Sequence, residues 1–313
     1  MGKAVKVLIT GAGGNLGRVL APALQNSGYT PVLMNFRPLD TPYEFIQGDA
    51  TRKADVHRAA DGVDAIVHGA ALHGIHLANH SRGEFWTLNV EGTYHVYEAA
   101  RAHGIGKVLL CSTMGVYGES VQTPENSVAV VTEALPTLPR DVYGLTKTLS
   151  EEIARFYARS DGIRTIAYRL GMFVPEAFLQ YGFRLLKGGV DDRDVAQAFL
   201  LGLTNTTITC DAFNIMAEVP FTREQWPRWR EDPAAFLESQ FPGLSGLVKQ
   251  KGENMEELSN LWGHTFWSVD KAKAELGYRP QYNFPEFYAA LKAGNEAHYP
   301  FANLPWWGTD LRQ

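Results

Sequence analysis

The sequence predicts a doubly wound α/β fold, in which helices cover both faces of a parallel β-sheet. Strand-like and helix-like segments alternate through the first 170 residues of the chain. The strand-like segments are apolar almost without a break, which is typical of parallel strands buried on both faces. A glycine cluster at the first strand–helix junction, "TGAGGNLG", completes the pattern.

Apolar runs bounded by turn residues predict the strands. They cover residues 4–10, 30–36, 64–70, 107–113 and 163–170. Amphipathic patterns between them predict helices over residues 15–27, 53–60, 83–103 and 141–160. Beyond residue 170 the alternation weakens, and the elements expected there are a helix at 176–187 and a strand at 212–216. Right-handed crossovers should place the parallel strands side by side in one sheet.

The glycine cluster is the first candidate binding site. Gly11 permits a tight turn off the strand, and Gly14 lacks the side chain that would block close approach of a pyrophosphate. Gly17 lets the following helix pack against the sheet. Asn15 and Leu16 begin that helix, whose free N–H groups and positive dipole end attract phosphate oxygens. The sequence therefore predicts a Rossmann-type dinucleotide site, with NAD or NADP as the cofactor.

The end of the second strand bears on the choice between NAD and NADP. An acidic residue there would bind the ribose 2′-hydroxyl and repel a 2′-phosphate. This chain has Asn35, which can bind the hydroxyl without repelling a phosphate. Arg37 could pair with a 2′-phosphate or remain a solvated loop cation. The sequence therefore leaves both cofactors open.

Length and composition exclude several classes of protein. A chain of 313 residues can bury a core without disulfides or metal ions, and its two cysteines are too few for a disulfide framework. The formal net charge of −5 gives no sign of a nucleic-acid or membrane partner. No apolar run reaches about 18 residues, and no signal peptide is visible. We expect a reducing, cytoplasmic compartment.

A tyrosine and a lysine four residues apart, in "VYGLTK", are candidate catalytic groups. Tyr143 and Lys147 share one face of a predicted helix, where the ammonium group would favour the phenolate and lower the pKa of the tyrosine. Such a phenol can act as a general acid or base. Ser112 and Thr113 end a predicted core strand at the carboxyl edge of the sheet, where a hydroxyl can hydrogen-bond a substrate oxygen.

In this order, the segments resemble the extended short-chain dehydrogenase/reductase family, the NAD-dependent epimerase/dehydratase group. The matching motifs run from residue 5 to about residue 290: "TGAGGNLG", "GDATRKADVHRAADGVDAIVHGAA", "NVEGTYHVYEAARAHG", "CSTMGVYG", "YGLTK", "DDRDVAQAF" and "AKAELGYRP". The resemblance implies that Thr113, rather than Ser112, joins Tyr143 and Lys147 in catalysis. It also implies that Lys147, with Tyr143 beside it, holds the nicotinamide ribose.

The resemblance assigns further residues along the cofactor. Asp49 and Ala50 match the positions beside the adenine, and Ala70 matches a position along the cofactor. Asn89 matches a residue that supports the active-site helix. Family members commonly dimerise through the helices that correspond here to 83–103 and 141–160, which implies a homodimer.

The segment after the last core strand departs from the sugar-nucleotide enzymes of the family. Only 22 residues separate Gly171 from Asp194, so that much of the nucleotide pocket of those enzymes is missing. The shortened layout resembles uronate dehydrogenase, which implies a carbohydrate-like substrate such as a sugar acid. By that analogy Arg184 binds a substrate carboxylate, although a solvated helix arginine would look the same in sequence.

Three histidines follow the cofactor-lining motif, in "ALHGIHLANH". This loop faces the substrate in the family, so His73 and His76 are candidate substrate-binding residues; the alternative is that they are solvated. With His80 they could in principle hold a metal ion. The family needs no metal, however, and Gly74 interrupts the helix, so no metal is expected.

The sequence therefore predicts two regions. Residues 1–170, to which 190–216 return, form the dinucleotide-binding domain, and residues 171–313 form mainly a smaller substrate-binding region. The favoured function is NAD(P)-dependent oxidation or reduction of a hydroxyl or carbonyl group on a carbohydrate-like substrate. One alternative is a sugar-nucleotide 4-epimerase or dehydratase with tightly bound NAD. The other is a dinucleotide-sensing regulator without catalytic activity.

Overall fold

A parallel β-sheet forms the centre of the protein. The computed structural model describes residues 4–123, 128–261 and 265–302. Its strands are β1 (Lys6–Thr10), β2 (Thr30–Asn35), β3 (Glu44–Gln47), β4 (Ala65–His68), β5 (Lys107–Thr113), β6 (Ala129–Val131), β7 (Arg164–Leu170), β8 (Cys210–Ile215) and β9 (Thr265–Trp267). Seven of these described strands form one sheet in the order β3-β2-β1-β4-β5-β7-β8, and β6 pairs with β9. All of these pairings are parallel.

Helices connect the strands and extend beyond them. They are α1 (Asn15–Asn26), α2 (Lys53–Ala60), α3 (Arg82–Phe85), α4 (Gly92–Ala102), α5 (Val142–Ser160), α6 (Phe178–Leu185), α7 (Asp192–Thr204), α8 (Trp226–Glu231), α9 (Pro233–Gln240), α10 (Leu244–Gln250), α11 (Met255–Asn260) and α12 (Phe284–Lys292). Short 3₁₀ turns lie at Gly74–His76, Met114–Val116, Gly118–Ser120, Arg223–Gln225 and Glu296–His298. Two π-helical segments occupy Trp86–Glu91 and Ala272–Leu276.

The predicted fold class is confirmed. Each of the six predicted strands forms within two residues of its expected ends, and the strand order changes direction between β1 and β4, as in doubly wound sheets. The strands β3, β6 and β9 were not predicted. They have only three or four residues each, which is too short for a hydrophobic period to stand out from the loops around them.

Two hydrophobic layers, one on each face of the sheet, explain the unbroken apolar runs. Val7 and Ile9 of β1 pack with residues of α1 and α7 on one face. Leu8, which lies between them, packs with residues of α2, α4 and α5 on the other face. Because consecutive strand residues point to opposite faces, a strand that is covered on both sides must be apolar throughout.

A third hydrophobic cluster, rich in aromatic rings, lies in α6 and α8–α12, which we call the aromatic lobe. Its buried residues include Tyr181 of α6, Trp229 of α8 and Phe287 of α12. The intervening α7 and β8 belong to the sheet instead, because α7 packs on α1 and β8 pairs with β7. Residues 303–313, which the predicted region 171–313 includes, lie outside the described residues.

The helix predicted over residues 83–103 is interrupted. The π-helical segment Trp86–Glu91 joins α3 to α4. A π turn closes its hydrogen bond one residue later than an α turn and is often found at functional sites. Within the segment Asn89 is 1% exposed, whereas Tyr94, on the following α4, is 46% exposed.

We predict that a glycine-to-alanine substitution changes the free energy of unfolding in opposite directions in α1 and in α10. A Cβ atom on Gly17 of α1 would lie 2.1 Å from the carbonyl oxygen of Ala12, so the helix approaches the glycine turn more closely than any side chain allows. Gly17→Ala should therefore lower the free energy of unfolding by about 1–3 kcal/mol through overpacking. Gly246→Ala in α10, where a Cβ meets nothing within 4 Å, should raise it by about 0.5–1 kcal/mol. Urea denaturation of both variants is the measurement, and effects of the same sign would contradict the close approach.

Candidate active site

The glycine turn after β1 forms an anion-binding cradle. Gly11 has a φ of +68°, and a Cβ on it would lie 2.6 Å from the Cα of Ala70, at the end of β4. No side chain caps the N-terminus of α1 at Gly14, and the first turn holds no acidic residue. The N–H groups of this turn, which begins with Asn15 and Leu16, are therefore available to an anionic ligand. The site fits a dinucleotide pyrophosphate.

Asn15 also connects the glycine turn to the segment that follows β7. Its Nδ2 donates to the carbonyl oxygen of Phe173 at 3.4 Å, and its Oδ1 accepts from Nη2 of Arg18 at 3.2 Å. Leu16, the next residue, is buried in the core. Of these two predicted cofactor-binding residues, Asn15 thus has its side chain at the rim of the cradle, while Leu16 offers only its backbone.

Asn35, at the carboxyl end of β2, secures the same turn. Its Oδ1 accepts from the N–H of Gly13 at 3.2 Å, and its Nδ2 donates to the carbonyl oxygen of Arg37 at 3.0 Å. The Arg37 side chain is exposed and lies over the ring of Phe36. The structure therefore places both predicted ribose-binding residues at the carboxyl edge of the sheet, with the Asn35 amide already engaged in holding the turn.

The residues expected beside the adenine lie in the loop after β3. Asp49 Oδ1 accepts from the N–H of Thr51 at 2.9 Å, which leaves the carboxylate half-exposed at the loop surface. Ala50 is buried, and its carbonyl oxygen is hydrogen-bonded to Nδ1 of His95 on α4. This loop follows the strand that pairs with β2, on the same edge as Asn35.

Thr113, Tyr143 and Lys147 meet where β5 ends and α5 begins. The Asp141 carboxylate caps α5 by accepting from the N–H of Gly144 at 2.7 Å. The Thr113 side chain lies close enough to the Tyr143 hydroxyl to favour its anion and lower its pKa. One helical turn later, Lys147 is buried, and its Nζ donates to the carbonyl oxygen of Cys111 at 2.8 Å. The Asp141 cap sets where α5 begins, and the helical period places Tyr143 and Lys147 on one face of it. The end of β5 positions Thr113.

The electrostatics of this cluster differ from the sequence expectation. We expected Lys147 to lower the pKa of Tyr143. Burial instead raises the pKa of Tyr143 to about 12, although the neighbouring Thr113 side chain opposes the rise. Burial also lowers the pKa of Lys147 to about 8, against the attraction of Glu151. The physical reason is that the Lys147 ammonium is directed at the Cys111 carbonyl rather than at the phenol.

Ser112 and Thr113 have separate partners. The Ser112 hydroxyl donates to Oε1 of Glu151 at 2.6 Å, and the guanidinium of Arg169 binds both oxygens of Glu151, at 3.0 and 2.8 Å. Arg169 also donates to the Tyr117 hydroxyl at 3.0 Å. This buried network occupies Ser112 and leaves Thr113 as the hydroxyl that meets Tyr143.

Asn89 joins the active-site helix to the loop after β4. Its Nδ2 donates to Oγ1 of Thr146 on α5 at 2.9 Å and to the carbonyl oxygen of Leu72 at 3.0 Å. Its Oδ1 accepts from the N–H of Leu72 at 2.8 Å. The side chain thus supports α5 at the turn between Tyr143 and Lys147.

The histidine loop lies against the same tyrosine. The ring centroid of His73 is 5.8 Å from that of Tyr143, and desolvation and the Lys147 ammonium lower the pKa of His73. His76 is buried, and its Nδ1 accepts from the N–H of His73 at 2.8 Å. His80 lies further out and contacts Glu84. Across residues 4–123, 128–261 and 265–302, no group of three or more His, Cys, Asp or Glu side chains could hold a metal ion.

Arg184 is buried rather than solvated. Its Nε donates to Oε2 of Glu176 at 2.7 Å, and its Nη1 donates to the carbonyl oxygens of Met172 and Val190. Among the described residues, its Nη2 has no hydrogen-bond partner. The structure therefore does not bring Arg184 into direct contact with Thr113 or Tyr143, and most of its guanidinium is already paired.

Sequence reasoning missed the buried groups that hold the site together. His68 lies between two hydroxyls: its Nδ1 is 2.8 Å from Oγ1 of Thr10, and its Nε2 is 3.1 Å from Oγ1 of Thr93. Glu151 was also missed, although it lies one turn beyond Lys147 on the same face of α5. That four-residue spacing was a usable signal, whereas the partners of His68 lie far away in the sequence.

The sequence profile of the NAD dependent epimerase/dehydratase family matches residues 7–176. The chain belongs to this family. The match covers the sheet from β1 to β7, with the glycine turn and all three of Thr113, Tyr143 and Lys147. The family assignment predicted from the ordered motifs is therefore confirmed, and the family's description includes the nicotinamide cofactor that the glycine turn predicted.

Curated relatives match mainly over the same half of the chain. The uronate dehydrogenase of Pseudomonas putida is 34% identical over 180 residues, which is 55% of this chain and 62% of that enzyme. The UDP-glucose 4-epimerase of Corynebacterium glutamicum is 28% identical over 171 residues, 53% of this chain and 50% of that enzyme. The chain thus spans about three-fifths of the length of the uronate dehydrogenase and half of that of the epimerase.

Solved structures match over nearly the whole chain at low identity. Uronate dehydrogenase from Agrobacterium tumefaciens has a TM-score of 0.65 at 22% identity, covering 93% of this chain and 89% of that one. A short-chain dehydrogenase/reductase superfamily protein of the same organism, with bound NAD, has a TM-score of 0.69 at 21% identity, covering 94% and 98%. These similarities establish the fold. Within the described ranges, no helix has the length and apolar composition needed to cross a bilayer.

We predict a pH-dependent contribution of His68 to stability. Burial lowers the pKa of His68 to about 3, from 6.5 when the chain is unfolded. Between these values the unfolded state binds a proton that the folded state does not, so the wild type should lose stability as the pH falls from 6.5 towards 3. The variant His68→Gln has no such titrating group. As the pH falls from 6.5, the free energy of unfolding of the wild type should therefore decrease relative to that of the variant, by up to about 1.4 kcal/mol per pH unit. Urea denaturation from pH 7.5 to 4 measures it; a constant difference would contradict the prediction.

Proposed function

We propose that this protein is an NAD(P)-dependent oxidoreductase that acts on a hydroxyl or carbonyl group of a carbohydrate-like substrate, with a sugar acid as the preferred class. The observation that carries the proposal is the convergence of Thr113 and Tyr143 at the carboxyl end of β5. It lies beside a buried Lys147 and at the same edge of the sheet as the uncapped N-terminus of α1. Ligands of doubly wound folds bind at this edge.

The side chains divide the chemistry among them. When bound, the nicotinamide exchanges a hydride with a substrate carbon. Thr113 orients the substrate oxygen, and Tyr143 takes the proton from it during oxidation or returns it during reduction. A phenol with a pKa near 12 is almost entirely protonated at neutral pH, so little phenolate is present to accept a proton. The phenolate must therefore be stabilised as it forms. We assign that stabilisation to the Lys147 ammonium, one helical turn away, which must turn from the Cys111 carbonyl towards the phenol as the anion forms.

The residues that would hold the cofactor follow its length along the sheet edge. We assign the pyrophosphate to the first turn of α1, the adenosine ribose to the end of β2, and the adenine to the loop after β3. The nicotinamide ribose belongs to Lys147 and Tyr143. The remaining members of this set are Gly11, Gly14, Asn15, Leu16, Asn35, Arg37, Asp49, Ala50 and Ala70. The exposed Arg37 guanidinium leaves NADP as acceptable as NAD.

The substrate would lie between the histidine loop and the segment after β7. His73 and His76 are the proposed hydrogen-bonding residues on one side, with Thr113 at the floor. Arg184 is the proposed carboxylate ligand on the other side. Because its Nε and Nη1 are paired within the protein, only Nη2 remains for a substrate oxygen unless Glu176 moves.

A sugar-nucleotide 4-epimerase is the second candidate, and the match to UDP-glucose 4-epimerases favours it. That reaction returns the hydride to the same carbon from the other face and needs a cleft for the nucleotide. The shortened segment between Gly171 and Asp194 argues against such a cleft. A dinucleotide-sensing regulator without catalytic activity has no need of the Thr113–Tyr143–Lys147 cluster. The presence of that cluster therefore argues against this alternative.

The proposal also assigns a role to each region of the chain and a cellular compartment to the protein. We assign residues 1–170 with 190–216 to dinucleotide binding and the remainder of 171–313 mainly to the substrate. Cys111 and Cys210 are both free thiols, which supports a reducing, cytoplasmic compartment.

A panel of substrates, assayed with the wild type and with the variant Tyr143→Phe, tests the proposed reaction. Uronates, neutral sugars and sugar nucleotides are each incubated with NAD and with NADP, and reduced nicotinamide is followed by its absorbance. We expect turnover with sugar acids, and about a 10²–10⁴-fold loss of kcat in Tyr143→Phe because the general acid–base group is gone. Binding of the reduced cofactor, followed by fluorescence, should be retained. Full turnover in Tyr143→Phe would contradict the assigned proton transfer.

We further propose that the protein forms a homodimer through α4 and α5. Tyr94 on α4 and Phe156 on α5 are 46% and 55% exposed, and Leu145 on α5 is 43% exposed. Large apolar side chains grouped on neighbouring helices are typical of an interaction surface. The same two helices were predicted to form the interface.

Light scattering tests the dimer. We expect twice the monomer mass of 34.7 kDa for the wild type, and the monomer mass for Phe156→Glu, because a carboxylate at the centre of the interface would be buried without a partner. Leu261→Glu, which adds the same charge at an exposed site of the aromatic lobe, is the control and should remain dimeric. A wild-type monomer would refute the proposal.

A further inference from the structure

Lys187 is a buried cation without a counter-charge. It follows α6, and the residue is 2% exposed. Among the described residues its Nζ has no hydrogen-bond partner. The ammonium instead lies over the ring of Trp229, 4.8 Å from the centroid. Burying an ionised amine without a partner is unfavourable, so a group that the folded chain does not supply is expected to compensate it.

Two lysines of the following segment are paired with carboxylates. Lys271 binds Asp211 at 2.6 Å, and Lys273 binds Glu218 at 2.7 Å. Arg184, one turn before Lys187, has Glu176. Burial alone lowers the pKa of Lys187 to about 7, with no contribution from a charged neighbour. A nearby anion would restore the charged form.

The backbone beside Lys187 lies against the catalytic end of the sheet. The N–H of Met172, two residues after β7, donates to the carbonyl oxygen of Gly188 at 3.0 Å. A Cβ atom on Gly188 would lie 3.1 Å from Cε of Met114, the residue that follows Thr113. Lys187 therefore belongs to the wall that connects the aromatic lobe to the ends of β5 and β7.

We propose that Lys187, together with the unpaired Nη2 of Arg184, binds the carboxylate of the substrate and makes the site selective for sugar acids. The inference rests on the proposed oxidoreductase function and names the residue that sets its substrate class. An ammonium compensates one negative charge, which matches a carboxylate. A phosphate carries about −1.5 to −2 at neutral pH and would remain under-compensated. The buried Trp229 ring, over which the ammonium lies, holds the Lys187 side chain in position.

Binding calorimetry on the protein saturated with reduced cofactor tests this without depending on turnover. The probes are D-glucuronate and D-galacturonate, the neutral sugars D-glucose and D-galactose, and D-glucose 6-phosphate. We expect the wild type to bind at least one uronate about 10-fold or more tightly than its neutral counterpart. Equal affinity for acid and neutral sugar, no binding of either uronate, or tighter binding of the phosphate would each overturn the assignment.

Matched variants separate a binding role from a structural one. Lys187→Met keeps the length of the side chain and removes the charge, and it should weaken uronate binding about 10–100-fold while leaving neutral sugars unchanged. Its Tm should equal or exceed that of the wild type, because a buried uncompensated charge is gone. Lys187→Gln is the second variant if the first does not fold. Lys249→Met, on exposed α10 surface, should behave as the wild type.

The kinetics distinguish this inference from the proposed function. In Lys187→Met we expect KM for a uronate to rise about 10–100-fold with kcat within a few-fold. Unchanged KM, or equal loss for acidic and neutral sugars, would overturn the role of Lys187 while leaving the oxidoreductase intact. If the wild type binds uronates through Lys187 but transfers no hydride from any sugar, the proposed function fails instead.

Discussion

The attachment of α5 to the sheet is the constraint on which the active site depends. A helix that covers a sheet usually buries an apolar face, but α5 buries Thr146, Lys147, Ser150 and Glu151. Each of these groups would be costly to bury without a partner. Lys147 has the Cys111 carbonyl, and Glu151 has its pair of bonds from Arg169. A rotation or slide of α5 would break these bonds together, so the helix has one register.

That register also sets the electrostatics of Tyr143 and Lys147, the proposed catalytic pair. In water, a lysine one turn from a tyrosine would make the phenol more acidic. In this interior, burial favours the neutral form of each group, which raises the pKa of Tyr143 to about 12 and lowers that of Lys147 to about 8. At neutral pH the phenol is therefore protonated, while Lys147 remains mostly charged. Bound ligands, with their own hydroxyls and charge, complete the environment in which the phenol can exchange a proton.

The sequence was sufficient for those features that local patterns encode. The parallel sheet followed from unbroken apolar runs, the cradle from the glycine spacing, and the meeting of Thr113 with Tyr143 from the order of the motifs. It was insufficient where distant residues decide the outcome. Arg184 was expected at the surface or on a substrate, but Glu176 and two backbone carbonyls enclose it. Nothing near Lys187 in the sequence indicates that the fold leaves it without a counter-ion.

The π-helical segment Trp86–Glu91 lies between α3 and α4, and residues of this stretch both contact α5 and form part of the exposed surface. The wider turn shifts the angular phase between the residues before it and those after it. Asn89 faces inward and holds α5, and Tyr94, five residues later on α4, is exposed. Deleting one residue from this segment would restore an even helical pitch and rotate one surface out of alignment with the other. The irregular turn thus joins the residue that supports α5 to the exposed face of α4.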